Sequence, residues 1–225
     1  PAVADRPQFK EVMTAKWDEL LKQYSYDAGA ARGLNEEQME EYNKDRATKV
    51  IERNLLRRLE PNWLRKMVVP KDDADIASAQ KQYWIVKSIC DILTEAKIGL
   101  LISLDIKKAY EDSSFKHKGK PFWDVRDISL AMRLNDDQVP ALLEAFFANK
   151  MLYTVVGFNQ VNLELNPTDV VSSGKFISFG KPNIIQLVVG LKHYDYRKEG
   201  GKVFIKTLEV KSGKSGRSSP TRRRR

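Results

Sequence analysis

The chain has 225 residues, 42% hydrophobic and 31% charged, which is an ordinary globular composition with length for one large domain or two small ones. No run approaches 18 consecutive apolar residues, and the opening PAVADRPQFK holds no apolar stretch, so neither a membrane span nor a secretory signal is expected. The single cysteine, Cys90, allows no intrachain disulfide and points to an intracellular, reducing compartment. Seven of the nine net positive charges lie after Val210, which leaves residues 1–210 with only +2. The body is nearly neutral and the basicity is mostly a tail.

Asp5, Arg6 and Pro7 read as a helix start, a capping acid followed by a first-turn proline. Phe9, Val12, Met13, Trp17, Leu20, Leu21 and Tyr24 then recur at spacings of three and four, which predicts an amphipathic helix. It ends before the glycine-containing stretch 27–33. Asn35 with Gln38 forms a capping-box pattern and opens a helix predicted to run to about Glu60, where Pro61 stops it. On that helix Arg46, Lys49, Arg53 and Arg57 fall three and four apart as a basic stripe. Residues 44–66 hold eight bases and three acids. The stripe reads either as a phosphate-tracking face or as a solvated helix face.

The polar break PKDDAD at 70–75 separates this region from the next helix, which Asp75 can cap. Ile76, Tyr83, Trp84, Ile85, Val86, Ile89, Cys90, Ile92 and Leu93 cover more than one of its faces, so it is expected to be the most buried helix. Residues 98–104 are strand or helix extension, and 105–112 read as helical. In the loop 113–121, Lys116, Lys118 and Lys120, with His117 when protonated, lie between Phe115 and the pair Phe122 and Trp123. Bases interleaved with aromatics suit nucleic acid, by charge and stacking. The aromatics could equally anchor the loop to the core.

The stretch 124–166 reads as a short amphipathic helix at 127–134, a polar turn at 135–137 and a helix at 139–151. Strands at 152–156 and 161–165 then flank a turn at 157–160. Residues 167–174 form a polar linker. Strands follow at 176–179 and 203–210, while 184–191 is a strand or a short buried helix. A KEGGK turn at 198–202 would join 187–196 to 203–210 as a hairpin. From Ser212 no apolar residue remains, which predicts a disordered tail.

Catalytic and metal-binding patterns are missing from the sequence. Two histidines and one cysteine cannot build a His/Cys zinc site, and neither G-x-S-x-G nor H-E-x-x-H occurs. Gly213, Lys214 and Ser215 lack the earlier glycine of a phosphate loop, because Leu208 stands in its place. Asp72, Asp73 and Asp75 lack the glycine and distant glutamate of a calcium loop. The reading is non-enzymatic, with no cofactor and no metal.

Helix, three-residue turn, helix and hairpin is an order that resembles the winged helix-turn-helix superfamily, in residues 124–166. The resemblance implies a major-groove reader with residues 136–150 as recognition helix. The charge opposes this, since 124–166 hold six acids and three bases. The final SSPTRRRR resembles the Ser-Pro and arginine-rich tails of viral core proteins, hepadnaviral ones included, and implies phosphate neutralisation without base reading. Ser219 before Pro220 reads as a candidate phosphorylation site, whose phosphate would cancel about two of these charges.

Taken together, the sequence predicts a mainly α chain with small β content, of α+β class. Its parts are an N-terminal helical region at 1–70, a winged-helix-like domain at 71–166, a C-terminal β region at 167–211 and a disordered arginine-rich tail at 212–225. The expected function is structural nucleic-acid binding, of nucleocapsid, packaging or chromatin type, without sequence preference for RNA or DNA. The contacts would come from Arg46, Lys49, Arg53, Arg57, Lys116, Lys118, Lys120, Lys211, Lys214, Arg217, Arg222, Arg223, Arg224 and Arg225. The body would self-associate or dock a protein partner, no membrane would be involved, and the protein would sit in a nucleus or virion. Two alternatives stand beside it: a sequence-specific winged-helix transcription or replication factor, and a docking subunit of a larger complex whose tail is a targeting signal.

Overall fold

Alternation with a period of two organises the centre of this chain. In the computed structural model, which describes residues 5–114, 116–117, 120–162 and 184–196, the chain is α+β. The N-terminal half supplies α1 (Arg6–Tyr24), β1 (Ser25–Tyr26), α2 (Glu36–Ala47), β2 (Ile51–Glu52), α3 (Arg53–Arg58), α4 (Asn62–Arg65) and α5 (Asp73–Glu95). Then come β3 (Leu100–Ile106), β4 (Tyr110–Glu111), β5 (Lys116–His117), β6 (Lys120–Pro121), β7 (Trp123–Asn135), α6 (Val139–Ala148), β8 (Tyr153–Asn162) and β9 (Ile184–Tyr196).

The main sheet runs β1-β2-β3-β7-β9-β8, with β4 also paired to β7. Its first three strands are parallel, and β3, β7, β9 and β8 pair antiparallel. The order α5-β3-β7-α6-β8-β9, with strands lying β3-β7-β9-β8, is the split βαβ arrangement of ferredoxin-like sandwiches with its first strand moved to the end. Ile128, Leu130, Met132 and Leu134 of β7 and Ile185, Leu187, Val189 and Leu191 of β9 are buried. One apolar core joins them to α5, α6 and Trp17 and Leu20 of α1.

Several local expectations hold. The Asn35–Gln38 capping box starts α2, with Asn35 Oδ1 accepting from the Gln38 N–H at 2.9 Å and Gln38 Oε1 from the Asn35 N–H at 3.1 Å. Of the residues of α5, ten are buried, more than in any other described helix. Asp72, rather than Asp75, caps it.

Four expectations are corrected. The helix expected from Asn35 to Glu60 breaks after Ala47, because Val50 and Ile51 are drawn between β1 and β3. The Val50 N–H donates to Tyr24 O at 3.0 Å, and Val50 O accepts from the Leu101 N–H at 3.2 Å. β-branched residues suit that buried bridging position and outweigh helix propensity. Residues 105–112 form the end of β3 and β4, not a helix. Residues 127–134 belong to β7. Leu130, Ala131 and Met132 are good helix formers, but Asp127, Ser129 and Arg133 alternate with buried neighbours, and β3 and β9 pair on both sides. Residues 153–162 are one strand with a bulge between Val155 and Gly157 instead of two strands and a turn.

The supposed winged helix is therefore strand, turn, helix and strand. β9 settles residues 184–191 as strand, and both its edges are taken, by β7 and β8. The expected strands at 176–179 and 203–210 and the tail lie outside the described residues.

Two helices end in left-handed residues that are not glycine. The Lys97 N–H donates to Thr94 O and the Ile98 N–H to Leu93 O, at 3.0 and 2.8 Å, with Lys97 at φ 56°. Met67 at φ 58° closes α4 in the same way. An L side chain in that conformation is disfavoured by about 1–2 kcal/mol, partly offset by the stiffer unfolded chain. Lys97→Gly is therefore expected to stabilise the fold by about 0.5–1 kcal/mol, read as a higher urea midpoint at unchanged m-value.

Candidate functional site

Among the described residues, the bases expected to track phosphate lie on separate elements: α2, the turn after it, α3, β5 and β6. Arg46 ends α2 and turns inward. Its Nη2 donates to Gly99 O at 2.8 Å and Nη1 to Lys49 O at 3.2 Å, and its guanidinium carbon lies 3.8 Å from the Tyr26 ring centre. Lys49 Nζ donates to Lys22 O at 2.8 Å and Gln23 O at 3.3 Å and lies 3.7 Å from Asp45. Those carbonyls belong to the last turn of α1, which leaves them without helical partners and favours a cation. Arg53 and Arg57 stand exposed on the separate helix α3. Lys116 and Lys120 lie on β5 and β6, which among the described residues pair only with each other. Lys118, Lys211, Lys214, Arg217, Arg222, Arg223, Arg224 and Arg225 lie outside the described residues.

A polar rung, invisible to sequence patterning, closes one end of the sheet. Arg126 on β7, His193 on β9 and Tyr153 on β8 are register partners, and all three are buried, between the apolar rung Ile128–Leu191–Val155 and the acidic pair Asp124–Asp195. Asp195 of β9 pairs with Lys81 of α5. Burial pushes the His193 imidazole down to about 4; Asp195 opposes that shift, while Arg126 and Lys81 add to it. Its Nδ1 is buried with no hydrogen-bond partner. Burial also lowers the Arg126 pKa and raises the Tyr153 hydroxyl to about 12. Cys90 is fully buried, its thiol pushed up to about 12 by desolvation and then by Asp91. His193, Tyr153 and Cys90 are thus held uncharged inside the core. Among the described residues no cluster of His, Cys, Asp or Glu could hold a metal ion.

The exposed feature is β8. It is the last strand of the sheet, and among the described residues no strand pairs with its outer edge. Its sequence YTVVGFNQVN holds no charge and no proline over ten residues. Val156, Phe158 and Val161, with Leu152 just before the strand, are each more than half exposed. Phe147 on α6 and Ile184 at the start of β9 are also exposed. Edge strands are ordinarily guarded by charge, proline, short length or a bulge; β8 has the bulge between Val155 and Gly157 but no charge, no proline and ten residues of length. Sequence reading missed it because the stretch was divided into a hairpin, which leaves no long edge.

No family model and no curated protein matches the chain. Several solved structures share its fold. A core domain from Akkermansia muciniphila is 12% identical, with 84% of this chain and 87% of that one covered and a TM-score of 0.53. Another chain from the same organism, solved without its transmembrane region, is 12% identical, with coverage of 85% and 88% and a TM-score of 0.52. The type 4 fimbrial biogenesis protein PilO from Pseudomonas aeruginosa is 9% identical, with coverage of 84% and 98% and a TM-score of 0.35. At these identities the likeness to the two Akkermansia muciniphila structures is one of fold, and PilO is too distant to share the conclusion.

Neither Akkermansia muciniphila structure is described as binding nucleic acid. With the winged helix gone and Arg46 and Lys49 engaged inside the chain, the expectation of a nucleic-acid-packaging protein is overturned. The nucleocapsid, virion and nuclear readings and the nucleic-acid partner fall with it.

Two measurements check this description. Arg46→Ala removes two hydrogen bonds to carbonyls and the stack on Tyr26, and is expected to destabilise the fold by about 2–3 kcal/mol in urea unfolding. A phosphate-contact residue on a solvated face would change stability by about 0.5 kcal/mol or less. For His193, the unfolded imidazole titrates near 6.5 and the folded one near 4. Between those values the unfolded chain binds more protons, so this contribution is complete above pH 6.5 and lost as the pH falls towards 4. The loss amounts to up to about 3 kcal/mol. The wild-type stability drop between pH 7 and 4.5 is expected to exceed that of His193→Gln by about 2–3 kcal/mol. Equal drops would show that His193 does not resist protonation.

Proposed function

We propose that this chain is a non-enzymatic docking subunit of a larger protein assembly, with β8 as the strand that receives the partner. One observation carries the reading: a ten-residue, uncharged edge strand whose large apolar side chains are exposed. Backbone groups along such an edge supply affinity through strand addition, and alternate side chains supply selectivity. Phe158 and Val156 are the anchors, since aromatic and aliphatic groups that become buried dominate interface energetics. The inward-facing chemistry of His193 and Cys90 agrees with a scaffold rather than a catalyst.

The test places a photo-crosslinking residue at Phe158 or, as control, at the exposed Asn43 of α2, in cells that make the protein. A discrete protein adduct is expected from position 158 and not from 43. Phe158→Lys, introduced with the crosslinker at Val156, is expected to cut that adduct about tenfold or more, while Tm moves by less than about 2 °C because the side chain is exposed. Equal adducts from both positions, a nucleic-acid adduct, or indifference to Phe158→Lys would overturn the reading.

A further inference from the structure

A second apolar exposure lies away from the sheet, at the end of α4. Met67, Val68 and Val69 are 70%, 47% and 41% exposed, the only run of three consecutive exposed large hydrophobics among the described residues. Cations surround it. Arg65 and Lys66 precede it and Lys71 follows. Lys10 Nζ donates to Met67 O at 2.9 Å, and Arg6 donates to Lys71 O. Arg57 and Arg65 share with Met67 the lining of a cleft of about 350 Å³.

The nearby carboxylates are mostly committed. Asp73 pairs with Arg6, Asp75 accepts from the Lys71 N–H, and Asp72 caps α5. Glu60, in the cleft, has its pKa raised by burial, and Asp18 is the remaining acid there.

The backbone holds these side chains outward. The α4 cap has the same bond pattern as the α5 cap, but the residue after the left-handed position differs in use. After Lys97, Ile98 is 1% exposed and packs into the core, the hydrophobic contact that ordinarily accompanies this motif. After Met67, Val68 is half exposed, so strain at Met67 is not offset by comparable burial. Glycine would be the less costly residue at position 67. The loop is nonetheless fixed, by the Val68 N–H donating to Trp63 O at 2.9 Å and by the Phe9–Trp63 ring pair beneath it.

We propose that the loop at residues 65–71 seats on an anionic lipid surface, with Met67, Val68 and Val69 entering the headgroup layer and Lys10, Arg65, Lys66 and Lys71 meeting lipid phosphates. Short apolar tips ringed by bases bind in this way, the apolar groups by burial and each base by attraction to the surface potential. Among the described residues no helix is long and apolar enough to span a bilayer, and seating requires none. The inference stands apart from the docking edge, because it uses other residues.

The arginine-rich tail attracts anionic vesicles by charge alone, so sedimentation is not a sufficient readout. Cys90 is buried and its thiol resists reaction, so an environment-sensitive dye can be attached to Val68→Cys in the full chain. The control is Asn43→Cys on α2, which lies towards the opposite end of α1 from Met67. With phosphatidylglycerol–phosphatidylcholine vesicles at 0.15 M salt, the emission at position 68 is expected to shift to the blue and that at 43 to stay. With phosphatidylcholine alone, neither should shift.

Met67→Gly is expected to weaken vesicle affinity, read at the position-68 dye, roughly tenfold while raising Tm by about 2–4 °C. A merely structural residue would not separate those two effects. Equal shifts at 68 and 43, or no shift at 68 while the chain pellets with vesicles, would overturn the proposal. So would a position-68 shift with polyglutamate but not with vesicles, which would assign the patch to an acidic protein.

Discussion

The structure depends on one constraint, that β7 and β9 pair with each other along thirteen residues while one face of both lies under helices. In an antiparallel pair the side-chain period is two, so a slip of one residue would expose the whole inward set. Ile128, Leu130, Met132 and Leu134 meet Leu191, Val189, Leu187 and Ile185 in register, and all eight are buried. Everything else attaches to that ribbon. β3 adds on one side and β8 on the other, α5 and α6 cover the apolar face, and α1 packs beside α5. The rung Arg126–His193–Tyr153 is where this inward set turns polar, near the end of the pair.

Features that rest on neighbouring residues were legible in the sequence. The Asn35–Gln38 capping box, the apolar stripe of α1 and the many-sided burial of α5 needed only spacings of three and four. What failed required knowledge of partners distant in sequence. Val50–Ile51 continues a helical pattern until β1 and β3 offer it hydrogen bonds on both sides. In β7, the alternation from Arg126 to Leu134 is complete, yet Leu130, Ala131 and Met132 also suit a helix turn. Local propensity and period disagree there, and the two neighbouring strands decide. The same misreading hid the candidate site, because residues 153–162 divided into a hairpin show no edge, whereas one continuous strand does.

Charge misled for a related reason. A formal count treats each Arg and Lys as available, but availability depends on what faces it. Arg46 and Lys49 look on paper like members of a stripe with Arg53 and Arg57. Where α2 breaks, their donors fall on the carbonyls of Gly99, Lys22 and Gln23. Lys49 thereby supplies partners that the last turn of α1 lacks, and Arg46 ties the end of α2 to the start of β3. Lys10 and Arg6, beside Met67, are also spent on carbonyls, of Met67 and Lys71, whereas Arg57 on α3 and Lys66 make no such bond among the described residues.

Exposed apolar surface sorts by the same question of what the backbone does beneath it. Scattered exposed hydrophobics such as Val12 and Trp84 are normal on any protein and carry no argument. Those on β8 and at Met67–Val69 differ because each is tied to a backbone feature that would ordinarily be avoided, a long uncharged sheet edge that no described strand pairs in one case and a left-handed methionine in the other. A protein under selection for stability alone would place a lysine in the edge and a glycine in the cap, each at little cost. Keeping neither device leaves apolar side chains held outward on rigid supports, β8 by its pairing to β9 and the loop by the Trp63 carbonyl. Rigid presentation lowers the ordering cost of contact, and these two surfaces are where that advantage is concentrated.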